Sequence, residues 1–405
     1  MTETLVIVGA GHAAGQVVST LRQKQYPGRI VLLGEEPYLP YQRPPLSKKF
    51  LAGELPAERL YFKPTSFYDD PQIDVHLNTR IDVIDPGARC VRDANGNEFS
   101  YDKLVLALGS RVRKLPVPGA DLAGVHYLRN IADVQAIREE IGAGKRLVVV
   151  GAGYIGLEVA AVCRQLGLQV TVVEMADRVM SRVVSPQISD FYQQQHTHHG
   201  VTLMLSTGLA GFAGSKGRVT GVAISDGSSI SADLVVVGVG IEPNVELAAA
   251  AGLKTDNGIV VDDRCQTAEP GIYAVGDCTS HPNGIYGRRI RLESVHNAVE
   301  QAKTAAANIC GDEARYEQVP WFWSDQYDIK LQIAGLSQGY DEVVLRGDPA
   351  GGKFACLYLK DGALIAVDAI NSPRDFMQSK ALIATRAVIN PQQLADGGTA
   401  LKDFL

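Results

Sequence analysis

Short runs of consecutive apolar residues punctuate the chain, and several end on closely spaced glycines. Leu5–Val8 leads into Gly9, Gly11 and Ala14, followed by a stretch with helical spacing and a second apolar run, Ile30–Leu33, that closes beside Glu35. Uninterrupted apolar runs of this length suit strands buried on both faces, as in a parallel sheet. The segment therefore predicts a strand, a tight turn, a helix and a second strand. The same pattern returns later: Leu147–Val150 precedes Gly151, Gly153 and Gly156, and its closing strand ends at Glu174.

Each part of this pattern has a physical task. The first glycine makes the sharp turn, the second lets backbone amides approach a pyrophosphate, and the third small residue lets helix and strand pack closely. The helix N-terminus adds positive potential, and the terminal acid can accept from ribose hydroxyls. A single copy could be an ordinary turn. Two complete copies predict two dinucleotide sites.

The stretch "IYAVGDC" places Gly276 and Asp277 at the end of a further apolar strand. Asp277 suits the ribityl and phosphate region of a flavin, although alone it could equally cap a helix. With "GVGIEPN" at 238–244 returning the chain to its first domain, FAD is expected on the first unit and NAD on the second. Glu174 would repel a 2′-phosphate, which favours NADH over NADPH. Arg178 and Arg182 follow it and could contact phosphate or remain surface charges.

Composition narrows the class. At 405 residues the chain exceeds one ordinary core, and 46% hydrophobic residues with 41 glycines fit an α/β protein rich in strand-to-helix turns. A net charge of −6 speaks against nucleic-acid binding. The opening "MTETLVIVGAG" has no charged leader with an apolar core, and no stretch reaches bilayer length, so a cytoplasmic protein without a membrane partner is expected. Cys90, Cys163, Cys265, Cys278, Cys310 and Cys356 are scattered without metal or redox spacing and are read as reduced structural thiols. No metal site is expected, and "HTHHG" at 196–200 reads as a solvated helix end.

"VGAGHAAGQVVSTLR", "PYQRPPLSK", "VVVGAGYIGLEVAA", "VVGVGIEPN", "IYAVGDC", "RLESVHNAVEQAK" and "VPWFWSDQYDIKLQIAGL", in this order, closely resemble the FAD-dependent ferredoxin reductases of bacterial P450 and Rieske oxygenase systems. The resemblance implies a glutathione-reductase-like α/β architecture with two Rossmann-like domains and a small C-terminal α/β interface domain. Its segments are an FAD domain at 1–111 and 239–315, an NAD domain at 112–238 and the interface domain at 316–405. Clusters of Gly, Pro and charge in "GSRVRKLPVPG" and "CGDEARYEQVP" independently support the first and last breaks.

The resemblance also implies a chemistry. NADH delivers two electrons as hydride and a 2Fe-2S ferredoxin, or a rubredoxin, takes one at a time; a flavin converts between them. Lys48 would stand beside the reactive edge of the flavin, paired with Glu158, because a buried ammonium needs a carboxylate. Tyr154 would occupy the nicotinamide site until coenzyme displaces it, or else be a core tyrosine. FAD contacts are expected from Gly9, Gly11, His12, Ala13, Ala14, Glu35, Arg43, Lys48, Ala107, Gly109, Asp277, Val295 and Trp323. NAD contacts are expected from Gly151, Gly153, Tyr154, Ile155, Gly156, Glu174, Arg182 and Gly240.

Two positions depart from the family pattern or vary within it: Leu108 stands where a threonine is usual, and His296 opens a helix directed at the flavin. Ferredoxins are typically acidic, so Arg288, Arg289 and Arg291 in "GRRIR" are candidates for the encounter surface, or ordinary solvated charges. A monomer or weak homodimer is expected. Oxidases, peroxidases and disulfide reductases of this architecture need a cysteine against the flavin, yet Leu46 and Ser47 follow the proline turn here. The remaining alternative is an NADH-binding flavoprotein with a signalling or oxidase role, similar to apoptosis-inducing factor.

Overall fold

Leu5–Val8 and Leu147–Val150 become central strands of two parallel sheets, and nearly every side chain on them is withdrawn from solvent. The computed structural model describes residues 3–405, which gather into two compact units. One unit joins the chain up to Arg43 with Glu58–Arg111 and Glu242–Pro320, and the other joins Pro44–Ala57, Val112–Ile241 and Trp321–Leu405.

In the first unit the sheet order is Ile272–Ala274, Lys103–Leu106, Thr4–Val8, Arg29–Leu33 and Ile73–His76, all parallel. The helices His12–Gln23 and Val295–Ile309 lie against each other through Ala14, Val17, Val18 and Leu21 on one and Ala298, Ala302, Ala305 and Ala306 on the other. Alanines at this spacing let two helix backbones approach closely. The opposite face of the sheet is covered by a small antiparallel sheet through Ile81, Ile84 and Val91 and by Ala248, Leu253 and Ile259.

The second unit contains a parallel sheet in the order Thr202–Met204, Gln169–Val173, Arg146–Val150, Leu234–Val237 and Val125–Tyr127. It also contains an antiparallel sheet of Trp321–Gln326, Ile329–Gly335, Ala363–Ile370, Lys353–Lys360 and Glu342–Asp348. The strand Trp321–Gln326 packs against the helix Tyr154–Gln165, and the short turn Pro44–Ser47 packs on the same helix. Residues distant in sequence are thereby focused on Glu158. No helix among the described residues is long and apolar enough to cross a membrane.

Candidate active site

The first glycine loop shows which of its glycines the protein itself requires. Gly9 sits at φ +103°, and a Cβ there would lie 2.3 Å from the Ala107 carbonyl oxygen. Gly11 differs: its φ of −84° is open to any residue, and a Cβ would meet no protein atom within 4 Å. The space beside Gly11 is a cradle that a side chain would fill. Gly11 caps the helix His12–Gln23, so unpaired amides and positive potential face that space.

Charged and polar groups surround this cradle. His12 has a buried Nδ1 without a hydrogen-bond partner, and its pKa is lowered to about 4, first by burial and then by Arg43, with Asp277 opposing. Arg43 donates to Glu36 Oε1 at 2.7 Å and to the Tyr41 hydroxyl at 3.1 Å. Asp277 accepts from Ser110 Oγ at 2.9 Å, and Gly276 N–H donates to Gln301 Oε1 at 2.8 Å. Ala13 and Ala14 are buried under the loop, Gly109 follows Ala107 at φ +61°, and Val295 opens the helix capped by Ser294. Glu35 is 70% exposed and lies 3.6 Å from Arg80, whereas Glu36 beside it holds Arg43 and Tyr41. Sequence reading missed Glu36, Ser110 and Gln301, because none belongs to the glycine pattern.

The second loop repeats the geometry inside the other unit. Gly151 sits at φ +100°, and a Cβ on Gly156 would fall 2.1 Å from the Gly151 carbonyl oxygen. Gly153, at φ −77°, again has no protein atom within 4 Å of a Cβ. Glu174 accepts from the Ala152 N–H at 2.7 Å and the Ala176 N–H at 2.8 Å, leaving lone pairs for a further donor and a fixed charge against a phosphate. Tyr154 opens the helix with its ring 4.7 Å from Phe322 and its buried hydroxyl unpartnered, and burial raises its pKa. Ile155 is 43% exposed, and the Arg182 guanidinium lies near Gly240, 3.9 Å from where a Cβ would stand.

Arg178 donates instead to Val184 O, Ser181 O and Ser189 Oγ, so it braces its own loop.

The third cluster is a buried charge pair. Lys48 Nζ donates to Glu158 Oε2 at 2.6 Å; the lysine side chain is 18% exposed and the carboxylate 1%. Ser47 Oγ also donates to Glu158 Oε2, and Ser324 Oγ donates to Oε1 at 2.7 Å. A carboxylate this buried persists because both oxygens are satisfied. Lys48 and Trp323 belong to this second unit, while the other expected FAD contacts belong to the first.

One expectation is corrected. "HTHHG" is not a solvated helix end throughout: His196 is fully buried and bonds Gln326 Oε1 at 2.8 Å, because the helix Pro186–His198 turns that face inward. Arg289, an exposed residue, and Arg291, a partly buried one, are also tied to groups of their own unit. Arg289 donates to the Val261 and Ser280 carbonyls, and Arg291 bonds Asn257 Oδ1 at 3.1 Å and pairs with Glu293 at 2.6 Å. Four of the thiols are also unsuited to catalysis. Burial pushes Cys163 and Cys356 up to about 12 and Cys278 to about 11, and raises Cys265 further.

A glycine cradle in each unit, with a buried charge pair in the second, marks a dinucleotide-dependent oxidoreductase, and the chain belongs to the pyridine nucleotide-disulphide oxidoreductase family, whose model matches residues 3–302. Residues 321–405 match the reductase C-terminal family. The chain is 44% identical to a ferredoxin–NAD(P)+ reductase of Sphingomonas sp, with 100% of this chain and 99% of the relative covered. It is 42% identical to the putidaredoxin reductase of Pseudomonas putida, covering 100% of this chain and 97% of that protein. Its structure matches the reductase in a covalent putidaredoxin reductase–putidaredoxin complex with a TM-score of 0.96 at 42% identity, over 99% of this chain and 98% of that one.

Proposed function

We propose that this protein is an NADH-dependent flavoprotein reductase that passes electrons through FAD to a 2Fe-2S ferredoxin, or a rubredoxin, serving a P450 or Rieske oxygenase. The observation that carries this is the pair Gly11 and Gly153. Neither backbone conformation nor packing requires glycine at either position, so close approach of a ligand explains both. The full-length likeness to ferredoxin reductases directs the reading from dinucleotide binding to electron transfer.

Residues 1–111 and 239–315 hold FAD in this reading, 112–238 hold NADH and 316–405 form the interface domain. Bound FAD supplies the conversion of a two-electron hydride into single electrons. Gly11, His12, Ala13 and Ala14 present helix-start amides to its pyrophosphate, with Arg43 adding positive charge and Asp277 accepting from the ribityl region. Gly153, Tyr154, Ile155 and Gly156 receive the coenzyme pyrophosphate, and Glu174 accepts from its adenosine ribose. Tyr154 covers the nicotinamide position until coenzyme arrives. Lys48, paired with Glu158, favours electron density on the flavin. The protein works in the cytoplasm in this reading.

Mixing purified holoenzyme and NADH with a panel of 2Fe-2S ferredoxins and rubredoxins tests the assignment. Catalytic reduction of at least one carrier, faster than of generic dyes, is expected. A long-lived reduced flavin that reduces no carrier would overturn the assignment.

A further inference from the structure

The buried Glu158 carboxylate is partnered from two sides, and one side extends into a longer chain. Ser324 has a single hydroxyl proton, committed to Glu158 Oε1 at 2.7 Å, so its oxygen serves as an acceptor. It accepts from Gln326 Nε2 at 3.2 Å. The amide is thereby oriented, and Gln326 Oε1 faces His196 Nε2 at 2.8 Å, which must carry the ring proton. His196 Nδ1 is left as an acceptor, and the Tyr327 hydroxyl donates to it at 3.2 Å.

Every donor in this series points toward Glu158. Turning the Gln326 amide over would require Ser324 to donate to Gln326 Oε1, leaving Glu158 Oε1 buried without a donor, which is costly. Burial lowers the His196 pKa to about 4, in keeping with a neutral, single-tautomer ring. Ser324 and Gln326 alternate along the strand Trp321–Gln326, so both point inward.

We propose that Ser324 is a positioning residue for the Lys48–Glu158 pair, held as a donor by Gln326 and His196 so that Glu158 shares its charge between Lys48 and the Ser324 hydroxyl. Lys48 then keeps more of its positive field than an ion pair with an unshared carboxylate would leave it. This rests on the reading above that Lys48 acts at the flavin.

Holoenzyme variants Ser324→Ala, Ser324→Thr, Gln326→Leu and Lys48→Met test it through the flavin midpoint potential, thermal melting, and kcat and KM for NADH with ferricyanide. Ser324→Ala is expected to shift the potential negative and lower kcat roughly threefold to tenfold, less than the full worth of one charge-assisted hydrogen bond because the effect acts through Lys48, with little change in KM. Ser324→Thr should restore both, and Gln326→Leu should move both the same way by less. Unchanged potential and kcat in Ser324→Ala, while Lys48→Met alters both, would overturn this proposal alone. Unchanged values in Lys48→Met would overturn both it and the role of Lys48. Should Ser324→Ala melt below the assay temperature, Gln326→Leu decides by the same criteria.

Discussion

The two glycine loops share a backbone plan but surround their cradles differently. At the third small position the first loop carries Ala14, fully buried with its Cβ accommodated, whereas a Cβ on Gly156 would meet the Gly151 carbonyl at 2.1 Å. His12, Arg43 and Asp277 ring the first cradle with half-buried polar groups. The second is bordered by the half-exposed Ile155, the 81% exposed Met175 and an aromatic ring. A ring of half-buried polar groups suits a cofactor that stays, and a more exposed rim suits a coenzyme that comes and goes. In the proposed reading the duplicated motif sets where a dinucleotide binds, and its surroundings set how tightly it is kept.

Lys48→Met should have the largest effect. It strips a carboxylate that is 1% exposed of its cation, costing about 3 kcal/mol of stability. The flavin should remain bound in the first loop, while stopped-flow reduction by NADH slows or the potential shifts. Unchanged kinetics and potential would remove Lys48 from the chemistry.

Acid should come next. Burial holds His196 and His281 at about 4, against 6.5 for an unperturbed ring. Between these values the unfolded chain binds protons that the folded chain does not, so stability is full above pH 6.5 and is lost as pH falls toward 4. Each ring contributes at most about 3 kcal/mol. Urea melts across this range should show the loss, and His196→Gln should reduce its steepness.

Gly156→Ala should cost about 1–3 kcal/mol by overpacking and weaken NADH binding, as fluorescence titration would show. The matching change in the first loop, Ala14→Gly, should cost only about 0.5–1 kcal/mol and leave the flavin in place. Equal effects would erase the distinction between the loops. Smallest is Glu174→Gln: one amide of Ala152 or Ala176 loses its acceptor, and the NADH-over-NADPH ratio of kcat/KM should fall by roughly severalfold.

Local patterns were legible in the sequence, and convergence was not. Gly9, Gly11, Gly151 and Gly153 could be read because turn, strand and helix lie within one short segment. Ser47, Ser324 and His196 could not, because Ser324 is 166 positions from Glu158 and His196 is 130 from Gln326. The three histidines of 196–199 looked equivalent along the chain, yet helical periodicity sends only His196 fully inward. The carbonyl partners of Arg289, Val261 and Ser280, likewise carried no signal in the local sequence. Alternating inward positions in "WFWSDQ" were the available signal for Ser324 and Gln326.

Gly11→Ala and Gly153→Ala test the central claim most directly, because neither added methyl meets protein within 4 Å and both backbones accept alanine. Ligand binding should therefore change without a change in the fold. Flavin content and NADH affinity, measured on both variants beside the melting temperature of the flavin-free proteins, read this out. Gly153→Ala should keep its flavin and lose NADH affinity by about tenfold, near 1.4 kcal/mol, while Gly11→Ala loses flavin and both flavin-free proteins melt as the parent does. Undiminished NADH binding in Gly153→Ala, or loss of flavin from it instead, would contradict the account.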